Sequence, residues 1–166
     1  MGKRVNIHAS CVRLEDAAEA FAAPRDAGVL LIGKSGAGKS DLALRLLGRG
    51  ARLVCDDRTE LSVERGRLIA RAPARLAGLI ELRGVGIIEM SSVASAPVCL
   101  VVNLSDKVKR LPARQSYSPL KPLVLAKANQ PALIALNAFD VSAPDKIIAA
   151  VAALRHHRLR DTVKRN

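Results

Sequence analysis

Gly33-Lys34-Ser35-Gly36-Ala37-Gly38-Lys39-Ser40 satisfies G-x-x-x-x-G-K-[ST] at every fixed position, the pattern of a loop whose backbone amides close around phosphate oxygens. Its flanks have the order this motif requires. Gly28-Val29-Leu30-Leu31-Ile32 is a short apolar run of β-formers, and Asp41-Leu42-Ala43-Leu44-Arg45-Leu46-Leu47 reads as a helix stopped by Gly48 and Gly50. Strand, loop and helix together predict a nucleotide site. The glycines let amide N–H groups turn toward an anion, and the helix beginning near Lys39 aims its positive dipole end at the same place. Lys39 is expected to reach the β- and γ-phosphates, and the Ser40 hydroxyl to ligate Mg²⁺, a hard cation that takes oxygen donors. A plain glycine turn before an amphipathic helix is the structural alternative.

The chain has 166 residues, 49% of them hydrophobic, which suits one domain over residues 1–166 with a sizeable core. No apolar run approaches the ~18 residues of a membrane span, and the N-terminus lacks a charged-then-apolar signal, so a cytoplasmic location is expected. Cys11, Cys55 and Cys99 are odd in number and contain no CxxC pair; buried, reduced thiols are expected, with no disulfide framework or zinc site. The formal charge of +12 attracts acidic partners or belongs to a solvated basic surface. Nucleic acid is disfavoured because one Tyr, two Phe and no Trp leave little for base stacking.

Outward from the loop, Val5 to Arg13 alternates as a half-buried strand and carries His8. Glu15 to Ala23 reads as a helical turn or a mobile loop. Arg52 to Asp56 predicts a strand ending in Asp56-Asp57. Leu61–Val63 and Arg67–Ala70 flank Glu64-Arg65-Gly66 as a hairpin with a three-residue connection. Leu79 to Met90 turns at Gly84-x-Gly86, and Pro97 to Leu104 reads as a strand covered on both faces. Ser105 to Pro122 is polar and basic and is expected as a loop beside the phosphates. Leu123–Ala126 and Ala132–Leu136 are expected strands, Pro144–His157 a helix, and the basic residues 158–166 a frayed end. There is no internal repeat.

Asp56-Asp57 at a strand end fits the second Mg²⁺ contact of a phosphate-loop enzyme, one acid holding metal while the other takes a proton; a solvated strand end is the bland alternative. Together, G-K-S-G-A-G-K-S, V-C-D-D and E-L-R-G-V-G-I-I-E resemble the catalytic domain of HPr kinase/phosphorylase over about Val5 to Leu154. The resemblance implies an α/β fold, a single phosphate-loop kinase domain with a mixed sheet similar to phosphoenolpyruvate carboxykinase. It implies Asp56 as general base and acid with His8 beside it, Asp57 in the metal shell, and Glu81 as the other Mg²⁺ ligand with Ser40. It also implies that Arg83, Gly84 and Gly86 shape the loop under the phosphates and that Arg110 lies near the transferred phosphoryl group. Without the resemblance, a lone His is a structural residue and a lone Arg a solvated one.

The chain departs from the family in lacking the amino-terminal domain of longer members, like the short form of proteobacteria, and in placing Glu89 where the signature has Asp or Asn. The carboxy-terminal P-x-R-P-G-R-N-like segment of longer members is replaced by L-N-A-F-D-V-S-A-P. The function implied is ATP- and Mg²⁺-dependent serine phosphorylation of the phosphocarrier HPr, with phosphate-dependent removal yielding pyrophosphate, in a homo-oligomer that is hexameric in the family. Two other classes stay open on residues alone: a small-molecule kinase, and a basic nucleic-acid-binding ATPase whose affinity would fall steeply with salt.

Overall fold

A computed structural model describes residues 2–160. Strands dominate: β1 (Arg4–Arg13), β2 (Gly28–Ile32), β3 (Arg52–Cys55), β4 (Arg58–Glu64), β5 (Arg67–Arg71), β6 (Leu79–Leu82), β7 (Gly86–Glu89), β8 (Ala96–Leu104), β9 (Gln115–Ser116) and β10 (Ala132–Leu136). Two α-helices, α1 (Lys39–Leu47) and α2 (Ala143–Arg155), accompany them. Among the described residues, no helix is long and apolar enough to cross a membrane.

All strands but β6 and β7 join one eight-stranded mixed sheet. Its pairings close on themselves: β1 with β2, β2 with β8, β8 with β5, β5 with β4, and β4 with β1 again. β1 manages this by changing partners along its length, pairing Arg4–His8 with β4 and Ala9–Arg13 with β2. β2 and β10 run parallel to β8 on either side of it, which buries β8 as its unbroken apolar sequence predicts.

Strand alternation distributes side chains to two cores. On one face Val12, Val29, Leu31, Leu100 and Val102 pack beneath Leu42 and Leu46 of α1 and Ile147, Ile148 and Val151 of α2. On the other, Ala9, Cys11, Leu30 and Val101 meet Leu61, Leu68, Leu123 and Leu125. The helices exist where apolar residues recur at helical spacing and bury that stripe. Cys11 and Cys55 are fully buried free thiols, and Cys99 is a partly buried one.

Three expectations are corrected, and one pair of alternatives is decided. The β4–β5 hairpin turns on two residues, Arg65 (φ 49°) and Gly66 (φ 73°), because Glu64 already pairs with Arg67; both left-handed angles match the twist of the flanking strands. Leu123 to Ala126 forms no strand: Leu123 and Leu125 are held by core burial, without ladder hydrogen bonds. Ser105 to Pro122 is not loop throughout: it contributes the short β9 to the edge of β10. Glu15–Phe21 is a 3-10 turn, with Ala17 and Ala18 buried, so the helical alternative holds there. Of the expected frayed end, residues 161–166 lie outside the described residues.

Candidate active site

The phosphate loop joins the end of β2 to the start of α1, with Gly36 (φ 80°) and Gly38 (φ 93°) in the left-handed conformation that side chains with a Cβ resist. Lys39 is buried and its Nζ donates to the carbonyls of Gly33 at 2.8 Å and Lys34 at 3.0 Å. The ammonium therefore closes the loop across its own neck. Burial lowers the Lys39 pKa, while the charges of Asp57 and then Asp56 act in the opposite direction.

Asp56 follows β3, and Asp57 adopts φ 62° as the chain reverses into β4. That reversal sends the two carboxylates to different environments. Asp56 is 4% exposed; its Oδ1 accepts from the hydroxyls of Ser10 at 2.6 Å and Ser40 at 2.9 Å, and its Oδ2 accepts the Glu81 amide at 3.2 Å. Asp57 has 62% of its side chain exposed and meets His8 Nε2 at 3.0 Å, with Arg58 Nε at 4.0 Å. His8 thus stands beside Asp57, and the expected His8–Asp56 neighbourhood is corrected. β1 supplies the reason: His8 and Ser10 project from the same face two residues apart, each against one aspartate.

β6 and β7 form a separate two-stranded hairpin turning at Gly84 and Gly86. It brings Glu81 and Arg83 to the phosphate loop. A cleft of about 250 Å³ is lined by His8, Ser35, Gly36, Gly38, Lys39, Ser40, Asp41, Asp56, Asp57, Glu81, Arg83 and Phe139. Most of the predicted site residues therefore line one cleft; Gly33, Lys34 and Ala37 of the phosphate loop and Gly84 and Gly86 of the hairpin turn stand outside its lining, as does Arg110, which is exposed in the irregular segment after β8. A larger cavity, about 830 Å³, lies between the β4–β5 turn, β9 and the end of α2 and contains none of them.

Three residues of the site escape sequence reasoning; one, Asp41, reads only as part of the helix after the loop. Ser10, fully buried against Asp56, could have been suspected as a small hydroxyl on the inward face of β1. Phe139 projects from the segment after β10, and no periodicity marks it. Among the described residues no three acids, histidines or cysteines converge on one point. The Ser40 hydroxyl and the Asp56 carboxylate are nevertheless adjacent and Glu81 lines the same cleft, oxygen donors of the kind a hard divalent cation shared with phosphate takes.

Residues 20–110, more than half of the chain, match the family model described as the HPr serine kinase C-terminal domain. The chain is 46% identical over 66 residues to HPr kinase/phosphorylase of Clostridium beijerinckii, covering 40% of this chain and 22% of that protein. It is 44% identical over 87 residues to HPr kinase/phosphorylase 1 of Oceanobacillus iheyensis, covering 48% and 28%. The matched stretches thus span about a quarter of those relatives. The solved HPr(Ser) kinase/phosphatase of Coxiella burnetii superimposes with a TM-score of 0.64 at 25% identity, covering 93% of this chain and 90% of that one. The fold is therefore that of an HPr kinase. With its phosphate loop, paired aspartates and glutamate-bearing hairpin inside or beside the matched region, the chain belongs to the HPr serine kinase C-terminal domain family.

Proposed function

We propose that residues 1–166 form one catalytic domain that phosphorylates a seryl residue of HPr with ATP and Mg²⁺, and that also removes this phosphate with inorganic phosphate as acceptor. The observation that carries the reading is the division between a buried Asp56 bound to the phosphate-loop Ser40 and an exposed Asp57 bound to His8. In a member of this family, those are the two carboxylate roles that phosphoryl transfer needs.

The geometry supports assigning them in the reverse of the order that the resemblance implies. Asp56, Ser40 and Glu81 would hold Mg²⁺, which neutralises charge on the phosphates when bound. Asp57, reachable from solvent and oriented by His8, would accept the seryl proton. As the seryl oxygen bonds to the γ-phosphorus, the bond from that phosphorus to the ADP oxygen breaks. Lys39 would leave the Gly33 and Lys34 carbonyls for phosphate oxygens and stabilise their charge. In the reverse direction, inorganic phosphate attacks the phosphoseryl phosphorus, pyrophosphate forms, and the departing seryl oxygen takes its proton from the same carboxyl. Arg83, which lines the cleft, would take the part at the transferred group that the resemblance gives to Arg110, which is outside that lining. A hexameric assembly follows from the family likeness alone.

The test is incubation with ATP labelled at the γ-phosphate, Mg²⁺ and HPr. Label on an HPr serine is expected, and it should return as pyrophosphate when unlabelled inorganic phosphate is added. Nucleotide hydrolysis without labelled HPr, or transfer to a small hydroxyl compound in preference, would overturn the proposal.

A further inference from the structure

The segment Leu136-Asn137-Ala138-Phe139-Asp140 leaves the end of β10 and leads toward α2. The fold brings it over the phosphate loop. Phe139 is the one phenyl ring among the cleft-lining residues, in a chain with two Phe, one Tyr and no Trp, and the residue is 64% exposed. A phenyl ring left largely in water has apolar surface ready to be covered.

The backbone that carries the ring is held in position. Phe139 N–H donates to Asn137 Oδ1 at 3.0 Å, and the Arg45 guanidinium donates to the Ala138 carbonyl and, at 3.1 Å, to the Asp140 carbonyl. Arg45 belongs to α1, the helix whose first residues are Lys39 and Ser40. The ring and the phosphate-binding residues are thereby fixed to one element. Gly38 permits the approach: a Cβ there would stand 2.8 Å from the Ala138 Cβ and 3.0 Å from the ring tip. The other side chains of the cleft are polar or charged, suited to phosphate and metal; His8 and Arg83 have planar faces, but both are charged or ion-paired groups at the aspartate end of the cleft, and Phe139 is its one apolar ring.

We infer that Phe139 is the platform on which the purine base of the bound nucleotide stacks, an inference that rests on the nucleotide-binding reading above. A base offers a π-face whatever its hydrogen-bonding edge, so a fixed, exposed ring beside the phosphate loop matches it.

Two probes separate the base from the phosphates: ATP and inorganic tripolyphosphate, each titrated with Mg²⁺ by calorimetry. F139A is expected to weaken ATP binding roughly 5- to 150-fold, the range for removing one base–aromatic stack, and to leave tripolyphosphate affinity unchanged. F139W should restore ATP affinity, and its indole, the only one in the chain, should be quenched by ATP and untouched by tripolyphosphate. Unchanged ATP affinity in F139A overturns the inference. An equal loss for both probes also overturns it, because the ring would then be supporting the loop. A wild-type protein that binds neither probe overturns the nucleotide reading and this inference with it.

Discussion

Replacing each of the paired aspartates by asparagine should produce two different defects. Asp57 has 62% of its side chain exposed and holds His8 Nε2 at 3.0 Å. An exposed pair of this kind contributes about 0–1 kcal/mol to stability, so Asp57→Asn should fold normally and melt within a few degrees of the parent. If Asp57 takes the seryl proton, transfer should nevertheless fall by roughly 10²–10⁴, or about 3–5 kcal/mol of barrier, at saturating metal and nucleotide. Asp56→Asn meets a different environment. Its carboxylate accepts three donors, and an amide nitrogen at the Oδ2 position would face the Glu81 N–H. The amide must therefore place its nitrogen toward Ser10, whose hydroxyl can rotate to accept. Losing a buried charged acceptor costs about 1–3 kcal/mol in stability, and the metal requirement should rise. Single-turnover phosphoryl transfer across a Mg²⁺ titration, with nucleotide affinity by calorimetry, separates the two. If Asp57→Asn keeps near-parental rates while Asp56→Asn loses transfer with no change in metal requirement, Asp56 is the base and the reasoning here fails.

Three further outcomes are expected. Because burial lowers the Lys39 pKa and its charged form holds phosphate, nucleotide affinity should decline on the alkaline side below the ordinary lysine value of 10.5; Asp57→Asn, by removing a charge that raises it, should move that limb lower still, and a limb at or above 10.5 would contradict this. Iodoacetamide should leave all three thiols unmodified in the folded protein and alkylate them in denaturant, since Cys11 and Cys55 are fully buried and burial pushes Cys99 up to about 12; mass spectrometry counts the adducts, and a rapidly alkylated native thiol would refute the packing. Gly28→Ala should destabilise by about 1–3 kcal/mol in urea unfolding, because its Cβ would stand 2.6 Å from the Pro97 carbonyl oxygen and 2.9 Å from the Ala96 Cβ across the β2–β8 ladder; an unshifted midpoint would mean that the ladder gives way easily.

What could be read in advance was whatever depends on residues near one another in the chain. Gly33 to Ser40 announced itself because its function is carried by backbone conformation, and glycine spacing records conformation directly. β8 was legible because a strand covered on both faces cannot hide its apolar composition. The neighbour of His8 was not legible: it depends on φ 62° at Asp57, which turns one carboxylate outward and leaves the other beneath. Arg110 was placed by resemblance, and a polar segment without periodicity gave no means of checking its route. Leu123 and Leu125 look like strand residues because a buried irregular segment needs the same apolar side chains as a buried strand.

β1 behaves as a two-notch ruler laid against the β3–β4 reversal. His8 and Ser10 lie about 6.8 Å apart along an extended chain, and each notch engages one of two consecutive acids. A one-residue insertion or deletion between His8 and Ser10 would turn the preceding strand face over, freeing His8 from Asp57 while Ser10 keeps its place. Length changes between these two notches should consequently be far less tolerated, in a deletion-scanning library or among natural variants, than changes in the β4–β5 turn, whose Arg65 and Gly66 lie outside the cleft.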